Sequence, residues 1–277
     1  MGLKSLNTCQ IRSVVCNDLG SHYRRVAVIL TLVFFVLFWF LVFKSLNDGV
    51  VRAFEEKKEI SLLFFWLFEV NPDQLCEAPS TFLFLYSVVA LLSTHFFVIF
   101  MTSDQTASEI GNRYLRYLVT RCGRIELFLG RLISSLLIAG TLICACSLGA
   151  VIAMVANHSH FSLDAIIFIF STSLWLFLSS LPFVSLSAFI SAVGGSVALT
   201  MLCTSSLAFL LPKAFDFIEI KWSQSEWVFK LRTFFPGGVS NAVLGGDAGA
   251  LTIFVSLLYL LIFGWMGCKV FETRELP

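Results

Sequence analysis

Residues 26–43 read VAVILTLVFFVLFWFLVF, a run without a charge in which Thr31 is the only hydroxyl. At 1.5 Å per residue such a helix covers about 27 Å, close to the ~30 Å hydrocarbon core of a bilayer. It is apolar on every face, so it has no wet side to offer a surface. Its solvent is either a protein core or lipid, and the rest of the chain decides which. Of 277 residues, 57% are hydrophobic, 13% are charged and 30 are Phe. Soluble domains carry about 45–50% apolar and about 25% charged residues. A water-soluble fold of this size cannot hide so much apolar surface, and disordered chains are charge-rich and aromatic-poor. Both classes are excluded. The net charge of +1 gives no basic field to recruit nucleic acid, which is therefore not an expected partner.

Working outward, five further stretches are long and apolar enough to cross: 81–101, 132–156, 165–181, 183–211 and 250–268. Pro182 is expected to end the fourth span and Pro212 the fifth. The expectation is an all-α polytopic membrane protein with six transmembrane helices in one domain, 1–277. Residues 60–70 (ISLLFFWLFEV), bracketed by Glu59 and Glu69, are too short to cross and read as an interfacial or re-entrant helix.

Six spans put both termini on one face. That face holds 1–25, 103–131 and the carboxyl tail, and with them eleven of the 19 Lys and Arg. Basic residues mark the cytoplasmic side, so both termini are expected there, in a bacterial inner (plasma) membrane. The first 25 residues are polar and no small-x-small site closes the apolar run, so the first span is expected to stay as an anchor. Of the eight Cys, only Cys76 then lies on the oxidising side. Cys144 and Cys146 point apart on a helix and make a poor metal pair, and His158-Ser159-His160 lacks a third ligand. No metal site is expected.

No Asp, Glu, Lys or Arg falls inside the spans as drawn. Proton-coupled carriers and voltage sensors need ionisable groups at membrane depth. The one titratable candidate is His95, read as a helix-to-helix hydrogen-bond partner. Any free energy for transport must then come from outside the spans. The fourth and fifth spans are rich in hydroxyls, among them Ser187, Ser191, Thr200 and Thr204. These read either as glue between helices or as the lining of a weakly polar pathway, and the sequence leaves both open. Gly194-Gly195 reads as a close-packing or kink point.

The segment 103–131 reads SDQTASEIGNRYLRYLVTRCGRIELFLGR. Ile110, Tyr114, Tyr117 and Leu118 recur at helical spacing, with Arg113 and Arg116 off that face. It is expected to lie under the membrane, touching anionic lipid or docking a soluble partner. In the amino-terminal tail, Ile11, Val14, Val15 and Leu19 make a second stripe, read as an interfacial helix feeding the first span.

These segments resemble a family. An amino-terminal interfacial helix, then Ser103-Asp104, Glu109-Ile110-Gly111, Leu115-Arg116-Tyr117-Leu118-Val119-Thr120-Arg121, Arg124, Glu126 and Leu129-Gly130-Arg131 entering a third span, are similar to the membrane subunit of type-2 ABC exporters. The chain departs from that pattern at Asn112-Arg113-Tyr114, at Cys122 for a common Pro and at Arg131 for a common Lys. Phe234-Phe235-Pro236-Gly237-Gly238 and 242–246 resemble the family's outer re-entrant segment between spans five and six. The resemblance implies a permease subunit that forms a pathway with a second copy of itself or a related permease. It implies separate ATP-binding-cassette ATPase subunits, docked through Glu109, Arg113, Tyr114, Arg116, Tyr117, Arg121 and Arg124. The chain has no G-x-x-x-x-G-K-[ST] cradle, so ATP and Mg would be held by the partner, with no cofactor on this chain. The long outer loops leave room for an outer-side accessory protein.

Two other classes compete. A membrane enzyme needs a polar cluster at one depth, but the four His (His22, His95, His158, His160) scatter, so enzymatic activity is not expected. A non-transporting scaffold or assembly factor working with an ATPase partner fits the same sequence.

Overall fold

The computed structural model describes residues 7–56, 78–104, 106, 107, 110, 118, 119, 122–156, 162–210, 234–244 and 249–273. Helices are the only regular structure among them. In chain order they are α1 (Thr8–His22), α2 (Val26–Ser45), a π turn at Leu46–Val50, α3 (Val51–Glu56), α4 (Thr81–Thr102), α5 (Arg124–Ala156), α6 (Leu163–Gly194), α7 (Val197–Ser205), a π turn at Ser206–Leu210, α8 (Pro236–Leu244) and α9 (Ala250–Thr273). Among the described residues, α2, α4, α5, α6 and α9 are long and apolar enough to cross a membrane. The protein is an integral membrane protein by this measure. The segment 60–70, Cys76 and His158-Ser159-His160 lie outside the described residues.

The structure differs from expectation at Pro182. Instead of ending a span there, α6 runs through it for 32 residues. Proline removes one backbone donor, but in lipid that loss is tolerated where neighbouring groups re-satisfy the backbone. The carbonyl that loses its donor is that of Leu178, and the hydroxyls nearby bond other carbonyls: Ser179 donates to Leu176 at 3.1 Å, Ser180 to Phe177 at 2.8 Å and Ser185 to Pro182 at 3.1 Å. What holds the helix through the proline is packing, since every residue from Ser179 to Ala188 is buried. The true stop is Gly195, which caps α6 with φ 65 in the left-handed region. The stretch 183–211 is therefore divided: its first part completes α6, and α7 with its π turn covers 197–210. Gly195→Ala is expected to cost about 1–2 kcal/mol, because a Cβ is strained at that φ. Gly195→Asn should cost less. Thermal unfolding of the purified variants checks this order.

α4 and α6 run parallel and are bonded across at three levels. His95 meets Ser179 at 2.9 Å, Thr102 meets Ser187 at 3.0 Å, and Thr106 just past α4 meets Ser191 at 2.6 Å. Ser147 of α5 joins Ser173 of α6 at 2.6 Å. The expected helix-to-helix role of His95 is borne out. Its Nδ1 faces the Leu91 carbonyl, which only accepts, so in the neutral ring Nδ1 carries the hydrogen. Nε2 then accepts from the Ser179 hydroxyl. Interhelical bonds of this kind contribute about 0.6 kcal/mol each on average.

Apolar packing is assembled around α4, whose buried residues include Leu83, Phe84, Leu85, Tyr86 and Val88. α2 is the outlier. Only Val28, Phe35 and Trp39 of it are buried, and it rests on α4 through aromatic contacts such as Phe35–Phe97 and Trp39–Tyr86. α8 is short yet buried over most of its length, with Tyr259 of α9 donating to the Phe234 carbonyl at 2.7 Å just ahead of it. At 33 residues α5 is about 50 Å long, more than a bilayer core requires.

Candidate functional site

One end of the bundle collects both described chain ends and the segment the sequence singled out. α1 lies along the first half of α5 rather than apart from it. A Cβ on Gly130 of α5 would meet the Val14 side chain at 2.7 Å, and Tyr23 reaches Thr141 with its hydroxyl at 2.8 Å. The expected stripe of Ile11, Val14, Val15 and Leu19 is half-buried, with Val14 and Leu19 packed into the core cluster. Asn7 caps this helix by accepting from the Cys9 and Gln10 amides at 3.2 and 3.4 Å. The last turn of α9 closes the opposite side of α5. Phe271 packs on Phe128 with ring centroids 6.0 Å apart, and Arg124 donates to the Glu272 carbonyl at 2.8 Å.

The segment leaving α4 is tied down at its start. Asp104 accepts from Arg25 at 2.6 Å, joining the head of α2 to the foot of α4. Two residues on, the Thr106 amide donates to Ser191 at 3.0 Å. Arg25, Thr106 and Ser191 thus fix the first residues of 104–131 against α2 and α6, while Arg124 fixes its last residues against α9. Arg131, expected at the rim of the third span, is instead buried at 2% exposure within α5, one turn from the buried Ser134 and Ser135. α5 begins at Arg124, so the basic residue enters with the helix rather than preceding it.

His22 was not singled out by the sequence beyond its scatter. It is buried at the α1–α2 junction, edge-on to Tyr23. Burial holds its imidazole below the ordinary value, with Asp18 raising it, Arg25 lowering it and Asp104 raising it. A histidine that binds protons less readily folded than unfolded makes acid destabilising. Stability should be complete above about pH 6.5, the unfolded-state value, and fall as pH drops below it. His22→Gln should flatten that slope, read as unfolding midpoints between pH 7 and pH 5.

Of the residues expected to dock an ATPase, Glu109, Arg113, Tyr114, Arg116, Tyr117 and Arg121 lie outside the described residues. Arg124 is described and engaged with Glu272 as above. Of the hydroxyls expected along a pathway, Ser187 and Ser191 are fully buried and bonded to Thr102 and Thr106. Thr200 is buried and donates to the Ser196 carbonyl at 2.9 Å; Thr204 is buried on the same helix one turn later. No group of three or more His, Cys, Asp or Glu able to hold a metal occurs among the described residues. No protein-family model matches the chain, and no curated protein matches it.

Proposed function

We propose that this chain is the permease subunit of an ATP-binding-cassette exporter, working with a separate ATPase. The observation that supports this most is the bracing of 104–131 at both ends, by Arg25–Asp104 and Thr106–Ser191 before it and by Arg124–Glu272 after it. A segment held to α2, α6 and α9 at once can pass a push to three helices together. In this reading both termini are cytoplasmic in a bacterial inner membrane, and Arg113, Arg116 and Arg121 face acidic groups on the ATPase. ATP and Mg belong to that partner, and two permease copies enclose the pathway. The fifth crossing in chain order begins at Val197, the sixth is α9, and α8 is the re-entrant element of the outer face, where an accessory protein would bind.

The scaffold reading has one observation in its favour. Ser187 and Ser191 are spent on helix–helix bonds, which gives α4 and α6 a rigid seam where a pathway would need freedom. One experiment tests both. The chain is purified at native expression and any co-purifying ATP-binding chain identified; the complex is then placed in vesicles with candidate cargo, with and without ATP. Recovery of an ATPase and ATP-dependent movement supports the permease. An ATPase without movement supports the scaffold, and absence of an ATPase overturns both.

A further inference from the structure

A groove of about 630 Å³ runs between the second half of α2 and the second half of α5. Its walls are Phe35, Trp39 and Phe43 on one side and Gly149 and Ala153 on the other, and Lys44 stands at one end. Its volume lies within the ~300–1,000 Å³ range of pockets that hold one ligand of modest size. We propose that this groove seats the acyl chain of a membrane phospholipid with an anionic headgroup, whose phosphate is held by Lys44.

Three observations carry this. First, the mouth opens on the outside of the described helices. Val36 and Phe40 of α2 and Ile152 of α5 line the same groove and are 62%, 62% and 68% exposed, and in a spanning helix residues this apolar meet hydrocarbon unless another apolar protein surface covers them. Second, the groove is built rather than accidental. Gly149 sets the spacing of its walls: a Cβ there would come within 2.7 Å of the Phe43 ring, so the two helices approach this closely beside the groove because the residue is glycine. Third, the chemistry changes along its length. Lys44 is in the last turn of α2, at the end of the apolar run, where a long cationic side chain reaches headgroup level. Lys44 is exposed and makes no ion pair among the described residues. An apolar trough ending in a cation that no described residue pairs matches an acyl chain ending in an anionic phosphate. This inference stands apart from the exporter reading and survives its failure.

The test is native mass spectrometry of the full chain in detergent, with added phosphatidylglycerol or phosphatidylcholine of matched chains. The wild type should retain one phosphatidylglycerol about fivefold more than phosphatidylcholine, the factor for one lysine near an anionic headgroup. Lys44→Gln should bring the two lipids to parity. Ala145→Trp, a substitution at an exposed groove position, should abolish retention of both. Both sites are exposed, so neither variant loses core packing. Equal retention of the two lipids by the wild type would overturn the proposal. So would variants that hold lipid like the wild type, or a self-association that Ala145→Trp breaks while lipid retention is unchanged.

Discussion

Reversing the charge of Arg113 and Arg116 to Glu should leave the protein inserted and ATP hydrolysis by the complex running, while ATP-driven transport falls by more than tenfold. Each exposed ion pair contributes about 0–1 kcal/mol, and reversal replaces attraction by repulsion of similar size. Two sites together change docking by up to about 4 kcal/mol, and about 1.4 kcal/mol of that already changes the docked population tenfold. Insertion is untouched because both residues lie outside the apolar runs. The measurement pairs ATPase rate with vesicle transport in the same preparation. Coupled transport at the wild-type level would remove 104–131 from the docking role, whereas a variant missing from the membrane would show only that the segment matters for assembly. An Arg113→Lys, Arg116→Lys control separates these outcomes, since it keeps the charge and should keep coupling.

Gly267→Ala should destabilise the fold by about 1–2 kcal/mol, against the direction that helix propensity alone would give. Alanine in a helix interior gains about 0.5–1 kcal/mol over glycine. At Gly267, however, the new Cβ would run into Phe128 Cζ and stand 2.9 Å from its Cε2. Phe128 is 1% exposed and backed by Phe271, so the ring has nowhere to swing. Overpacking of this kind costs about 1–3 kcal/mol, which outweighs the propensity gain. The sign should reverse in a Phe128→Ala background, where Gly267→Ala becomes stabilising by about 0.5–1 kcal/mol. A double-mutant cycle on thermal unfolding in detergent measures the coupling, and additivity would show that α5 and α9 do not meet there.

The parts of the fold that rest on composition were legible. Val26 to Phe43 announces a membrane helix by length and by the absence of charge, and no partner is needed to read it. The polar pairing of His95 was legible in kind, since an isolated imidazole in hydrocarbon needs a bonding partner. That the partner is Ser179 was not, because it depends on which helices become neighbours. Pro182 misled because its effect was judged by the rule for water, where an orphaned carbonyl ends a helix. Inside the bundle, where every residue from Ser179 to Ala188 is buried, packing carries the helix through, and the backbone geometry of Gly195 decides the end instead. At the candidate site, the stripe of Ile11, Val14, Val15 and Leu19 was readable, but what it covers was not. Likewise Asp104 was quoted for a motif, while its bond to Arg25, 79 positions away, has no local signal. Arg131 looked like a rim residue because the apolar run itself begins only at Leu132, although Gly123 breaks the preceding run and the helix starts at Arg124.

The length of α5 has a mechanical consequence. It is a stiff rod with the tail of α9 clamped to one extremity and α1 lying along the half next to it. Pivoted about its far tip, a rod about 50 Å long converts a swing of only about 10° into a sideways stroke of about 9 Å at the clamped extremity. A lever of that ratio lets a small rocking at one surface of the membrane be geared into a much larger excursion at the other, or the reverse.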